Sequence, residues 1–333
     1  TVDEAVKGLV GSLGENMLTS DGEIHSRLTR IMRPPFQAGG AADHAAVALP
    51  DLYDSLIDGF YDDGRCDLMS AYAEPLAVMS LQSALGLDTC SWQELAGWCR
   101  GVCTGIANME NDPTLAATAD QAKQELGAAL DLELAAIGNG DGRSGALAHF
   151  VRAGLDRAEI VNNVRLMVSG GINEPRDGVG LVVRMLLSES DLAARVEEDP
   201  VLLRKVIEET LRLHSPVGTI TRQVTTDTTL AGVDMPRGDM VSGVLSSANR
   251  DPRRWTDPDR FDVDRREGPH MSFATGAHRC LGEWLGRQEI RVGVQRLLAR
   301  LPDLRPSPGF EADLRGFEFR GPTSLLVEWT PRP

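Results

Sequence analysis

The sequence predicts a mainly helical protein with a small β portion. Three observations predict it. Apolar residues recur at helical spacing through most of the chain up to about residue 215. β-Branched residues gather from Thr219 to Thr228, and Pro- and Asp-rich loops fill 251 to 270 before a final helix. With 333 residues, 42% of them hydrophobic, the chain is long enough for a large core, and residues 1–333 read as a single domain.

The elements follow in order. Asp21 opens a helix holding His25, Leu28, Ile31 and Met32. Helical spacing continues over 51 to 60, 66 to 86 and 92 to 108. Ser91 is a natural N-cap, with Glu94 completing a capping box. Residues 113 to 137 are rich in Ala and Leu. The longest pattern starts near Asp156 and runs towards Leu187, on the order of 45 Å at about 1.5 Å per residue. Another helix covers 199 to 213. Past Ser215-Pro216 the character changes: VDMPRGDMV, 233 to 241, reads as strand, turn, strand, and LLVEW, 325 to 329, as strand. The final helix begins near Cys280.

GGINEP, residues 170 to 175, interrupts the longest helix. Its glycines and proline weaken a helix, and its glutamate would cost more if buried. A sequence that tolerates this combination implies a ligand beside it.

The net charge is −15, from 34 basic and 49 acidic residues, which argues against a general nucleic-acid binder. No apolar run is long enough to span a bilayer, and no charged-then-apolar leader opens the sequence. Five cysteines (Cys66, Cys90, Cys99, Cys103, Cys280) form an odd, sparse set that favours a reducing cytoplasm. Cys99 and Cys103 stand four apart on a helix, where they can touch, and read first as small core residues.

FATGAHRCLG, 273 to 282, is the strongest chemical signal. A cysteine there ends a glycine-containing loop before a helix, where backbone N–H groups can stabilise a thiolate. Gly276 and Gly282 let a flat ligand approach the backbone. Alone, the cysteine reads first as a buried structural thiol in a turn. EETLR, 208 to 212, places Glu209 and Arg212 where they can pair. SANRDP, 247 to 252, and DPDRF, 257 to 261, lie between these motifs.

Together these motifs resemble the bacterial cytochrome P-450 family of haem-thiolate monooxygenases. Glu209-x-x-Arg212, Arg222, SANRDP, DPDRF and Phe273-x-x-Gly276-x-His278-x-Cys280-x-Gly282 match it in order and spacing, and DGEIHSRLTRIMRPPF, 21 to 36, is similar to its N-terminal haem-contacting helix. The resemblance implies the P-450 fold and haem b, with Cys280 as axial ligand to iron. It implies that Phe273, Gly276 and Gly282 shape the cysteine loop. His25, Arg222 and His278 would meet the haem propionates, helped by Arg30. Glu209, Arg212 and Arg260 would form a structural triad. The chain departs from the pattern at Ala274, where a glycine is usual, and at Thr29, where an arginine is usual. Against that pattern the chain also starts late, without the usual N-terminal segment.

By the same resemblance the longest helix crosses the distal face of the haem. Its acid–alcohol positions become Asn173 and Glu174, followed by Pro175, so the alcohol is missing. Glu174 is then a proton relay, a water chain replaces it, or Glu174 turns away to pair with Arg176. The motif is similar to that of guaiacol-type aryl-ether O-demethylases. Leu166, Gly170, Val217, Thr221 and Phe319 are the expected substrate contacts. The implied reaction uses dioxygen and two electrons to oxidise a small organic molecule, such as a methoxyphenol. Hydroxylation of a terpene or macrolide, peroxide-driven turnover and non-catalytic haem binding are the alternatives. No flavin, nicotinamide or iron–sulfur motif is present, so a separate reductase or ferredoxin must donate electrons. Arg27, Arg30 and Arg33 form a basic cluster that could steer such a partner, or a plain solvated face.

Overall fold

The computed structural model describes residues 11, 13–108, 110–140, 142–189 and 191–332. Helix dominates, as the spacing predicts. The first half holds α1 (Gly22–Met32), α2 (Ala38–Val47), α3 (Leu49–Asp58), α4 (Glu74–Leu85), α5 (Trp92–Ala107), α6 (Pro113–Gly138) and α7 (Ala146–Arg152). Then come α8 (Arg157–Gly170), α9 (Asn173–Ser188), α10 (Leu192–Glu198), α11 (Leu202–His214), α12 (Leu245–Ala248) and α13 (Glu283–Arg300).

Local chemistry sets the ends. Ser91 and Glu94 make the expected capping box on α5, and Asp156 and Glu159 make a second one on α8. Asp112 caps α6 through the N–H groups of Thr114 and Leu115. The stretch expected as one helix over 66 to 86 divides. It gives β1 (Arg65–Asp67), a π-helical turn (Met69–Ala73) and then α4. Pro75 has no N–H to offer the Ala71 carbonyl, and the ladder widens there.

The β portion is small. Strand β9 (Leu326–Glu328) lies between β1 and β6 (Arg305–Pro306), antiparallel to both. The pattern over 233 to 241 is strand, turn, strand, but its two arms do not pair with each other. β4 (Val233–Met235) pairs with β3 (Thr228–Leu230), whereas β5 (Met240–Val244) pairs with β2 (Thr219–Gln223). β7 (Leu314–Arg315) and β8 (Gly321–Pro322) form a further short pair.

One buried apolar cluster extends from Leu13 to Trp329. At its centre α9 packs on α13, α11 and α4. Val179, Val182, Val183 and Leu186 are all buried, as the helical period requires. Gly178 permits the close approach of α9 to α13: a Cβ there would lie 2.5 Å from Ile290 Cδ1.

The core also holds a lone carboxyl. Glu289 of α13 is 1% exposed, and its Oε1 has no hydrogen-bond partner. Burial pushes its pKa from 4.5 up to about 8. The folded chain therefore keeps a proton that the unfolded chain releases near 4.5. Its stabilising contribution is full below that value and is lost as pH rises to about 8, by about 1.4 kcal/mol per pH unit. Glu289→Gln should shrink the loss of urea stability between pH 5 and pH 8. An unchanged difference would show that the carboxyl is satisfied in solution.

Candidate active site

The loop before α13 has few regular hydrogen bonds, and those it has fix Cys280. The Cys280 N–H donates to the Phe273 carbonyl at 2.9 Å, and Arg279 N–H to Gly276 at 3.1 Å. Gly276 takes φ +76°, a left-handed conformation natural to glycine. Ala274 takes φ +54°, so the alanine that replaces a usual glycine occupies a glycine conformation, at a cost of about 1–2 kcal/mol.

Cys280 is exposed, yet enough protein surrounds its thiol to raise the pKa to about 11. Burial is the main cause. The Gly282 N–H on the sulfur opposes it, the Glu174 and Glu283 charges add to it, and Arg287 opposes it. The helix begins at Glu283, three residues later than expected, with Gly282 at its N-cap.

Behind this loop lies a buried ion cluster. Arg212 donates to Glu209 through Nε and Nη2, both at 2.8 Å. The second guanidinium on Glu209 belongs to Arg265, at 3.0 Å, and not to Arg260. Arg260 is exposed, and only its carbonyl joins the cluster, accepting from Arg212 and Arg265. The expected triad is thus corrected to Glu209, Arg212 and Arg265. The side chain five residues along the loop turns inward instead.

Arg212 also donates to the Asn249 carbonyl at 2.8 Å. The Asn249 side chain accepts from Met271 N–H at 2.6 Å and donates to Ser272 Oγ at 3.0 Å. An unbroken chain of hydrogen bonds therefore joins Glu209 to the start of the cysteine loop. Arg287 completes the support. Its guanidinium lies 4.1 Å from the Phe273 ring centroid and makes a two-point contact with Glu208. Sequence reading missed Arg287, although it stands four residues after Glu283 on α13 and pairs with it, and that spacing could have found it.

His25 and His278 come together, ring centroids 4.2 Å apart. His278 Nε2 lies 2.9 Å from Asp21 Oδ1, so Asp21 serves His278 and does not cap α1. Thr29, in place of the usual arginine, lies 3.2 Å from His25 Nε2 and orients that ring. Burial and the neighbouring His278 hold the His25 pKa down. Arg30 and Arg222 are exposed, and Arg222 donates to the adjacent Thr221 carbonyl. Arg27 is engaged by Glu159, which leaves Arg30 and Arg33 exposed on that face.

The long helix is broken in two between α8 and α9. Gly171 ends α8 at φ −109°, and Ile172 precedes α9. Pro175 is the third residue of the new helix, where its missing N–H needs no partner. Arg176 donates to Asp177 Oδ1 at 2.8 Å and to the Asn173 side-chain Oδ1 at 3.0 Å. Asn173 also donates to Cys103 Sγ at 3.3 Å. Both ends of its carboxamide are therefore occupied. Glu174 makes no pair with Arg176. Its Oε2 is closed off from solvent without a partner.

Among the expected substrate contacts, Val217 and Phe319 form a β-bridge to each other, and Thr221 is exposed on β2. Leu166 is half-buried on α8. Gly170 is exposed with open space where a Cβ would lie.

The donor set fits haem. One thiol is open on a side of the loop where Gly276 and Gly282 leave space, with backbone N–H on its sulfur and two histidines nearby. A site of this kind defines a haem-thiolate oxidoreductase. The cytochrome P450 family model matches residues 198–303. Cytochrome P450 107B1 of Saccharopolyspora erythraea is 32% identical over 301 residues, covering 90% of this chain and 73% of that protein. The 6-deoxyerythronolide B hydroxylase of the same organism is 30% identical over 303 residues, with the same coverage of 90% and 73%. The crystal structure of CalO2 superposes with a TM-score of 0.88 at 31% identity, covering 97% of this chain and 82% of that one.

The chain belongs to the cytochrome P450 family, whose members are oxidoreductases carrying haem on a cysteine thiolate. They act on small molecules and take electrons from redox partners. These relatives do not support the likeness to guaiacol O-demethylases. Among the described residues, no helix is long and apolar enough to cross a membrane.

Removing one member of a buried ion pair strands the other, at about 3–5 kcal/mol. Arg265→Ala should cost that much by urea denaturation, and Arg260→Ala under about 1 kcal/mol, as for an exposed side chain. Equal losses would restore Arg260 to the cluster.

Proposed function

We propose that residues 1–333 form one haem-binding monooxygenase domain, with Cys280 as the iron ligand, that places one oxygen atom into a C–H bond of a small substrate. When bound, the haem supplies dioxygen activation and the oxidising power. The chain's residues do the rest. The Gly282 N–H and Arg287 favour the Cys280 thiolate. His25 and His278, with Arg222, offer donors to the propionates. A cytoplasmic location, supported by the sparse cysteines, and a separate electron donor complete the reading. The exposed Arg30 and Arg33 suit an acidic partner.

The observation that carries the mechanism is Glu174. Burial is the main cause that raises its pKa to about 8; its own main-chain N–H opposes, Asp177 and Cys103 add, and Arg176 opposes. At neutral pH the carboxyl therefore holds a proton it can give, and only once that proton has left does its charge act on Cys280. This supports Glu174 as the relay in place of an acid–alcohol pair.

For substrate, the likeness to a 6-deoxyerythronolide B hydroxylase supports a macrolide-sized molecule. A methoxyphenol is the second reading, supported by the Asn173-Glu174-Pro175 break; hydroxylation of its methoxy carbon would release a phenol and formaldehyde. A panel of macrolactones, steroids, terpenes and methoxyphenols, scored by the low- to high-spin Soret shift, separates the two. A shift with macrolactones alone supports the first reading. A shift with guaiacol and formaldehyde release supports the second. Turnover with hydrogen peroxide and no reductase would make the enzyme a peroxygenase, and no shift or product with any compound would leave a non-catalytic haem protein.

Glu174→Gln should lower product per electron pair and raise peroxide release. In the parent, coupling should be full below about pH 8 and fall as pH rises through that value, because the protonated carboxyl is the donor. Coupling that is unchanged in Glu174→Gln would remove the relay role.

A further inference from the structure

The break between α8 and α9 leaves carbonyls of the last turn of α8 without partners in their own helix. Two thiols from α5 reach them. The Cys99 Sγ–H donates to the Val168 carbonyl at 3.3 Å, and Cys103 Sγ lies 4.0 Å from the Ser169 carbonyl. The Asn173 amide, in the first turn of α9, meets the same group. It donates to Cys103 Sγ at 3.3 Å, Cys99 Sγ at 3.8 Å and the Ser169 carbonyl at 3.3 Å. Its oxygen accepts from Arg176, which is held in turn by Asp177. The two cysteines are thus polar partners at the helix break, a use their helical spacing does not reveal.

We propose that Cys103, with Cys99, is a positioning residue for Glu174: the two thiols hold the Asn173 carboxamide, fixing the first turn of α9 and the aim of the next side chain. Glu174 follows Asn173 directly, and its own Oε2 has no partner to hold it. Its direction therefore comes from the backbone it stands on. Arg176 cannot anchor it, being committed to Asp177 and Asn173. The thiols also keep a cation and an amide donor facing α5. Cys103 accordingly has a pKa held down by the Cys99 thiol, Asn173 and Arg176, against burial.

The inference rests on the relay reading, and its test separates the two. In Cys103→Ala and Cys103→Val holoenzyme, product per electron pair should fall roughly 10- to 100-fold, the range for a misplaced group of about 1 Å. Cys103→Ser, whose hydroxyl can still accept from Asn173, should restore it. The second readout is the infrared C=O band of protonated Glu174, identified by its absence in Glu174→Gln. Its frequency and titration midpoint should move in Cys103→Val and Asn173→Leu, and stay in Cys103→Ser. An unmoved band and unchanged coupling in the alanine and valine variants would overturn the proposal. A moved band with coupling intact in Glu174→Gln would uphold the positioning role and remove the relay.

Discussion

The segment from Asn249 to Gly282 contains almost no regular structure, and its shape depends on one carboxylate, Glu209, buried between two guanidinium groups. Water cannot solvate these charges, so each must be matched by the others and by carbonyls. Arg212 spends its donors on Glu209 and on the carbonyls of Asn249, Pro258 and Arg260. Each bond fixes a point on a different loop. The cluster therefore adds little to stability relative to an apolar replacement, but it leaves the loop one arrangement in which every buried donor is satisfied. Asn249 passes that constraint to Met271 and Ser272, and Phe273 passes it to Cys280 through a single main-chain bond.

The α8–α9 break is built on the reverse principle. The α8–α9 helix loses its continuity, and the carbonyls freed by the break are met by the thiols of α5 and by Asn173 of α9. A regular helix would have used those carbonyls internally. The break turns one stretch of backbone into a place where Asn173 can be gripped from outside.

Legibility follows from range. The capping boxes at Ser91 and Asp156 involve residues three apart, and the helical faces are set by local period, so the mainly helical plan could be read directly. The loop at Cys280 could be read because its glycines and cysteine sit within ten residues. The β pairing could not, because β4 and β5 look like one hairpin and choose separate partners. Arg260 and Arg265 were indistinguishable in sequence: both lie in one polar loop, and only the turn of that loop decides which points inward. Cys99 and Cys103 looked like core because their partners are some seventy residues away, on carbonyls that only a broken helix exposes.

Glu174 shows how the break and burial act on one side chain. It stands in the first turn of α9, where the helix dipole favours a carboxylate by about 0.3–1 kcal/mol. Burial acts in the opposite direction and is stronger, since it carries the pKa from 4.5 up to about 8. Desolvation therefore decides the protonation state, and the dipole only moderates it. Within a continuous helix the dipole term would vanish and the carboxyl would hold its proton more tightly. The lowering seen here comes from the carboxyl's own main-chain N–H, free in the first turn of α9, and from Arg176, and both act against burial.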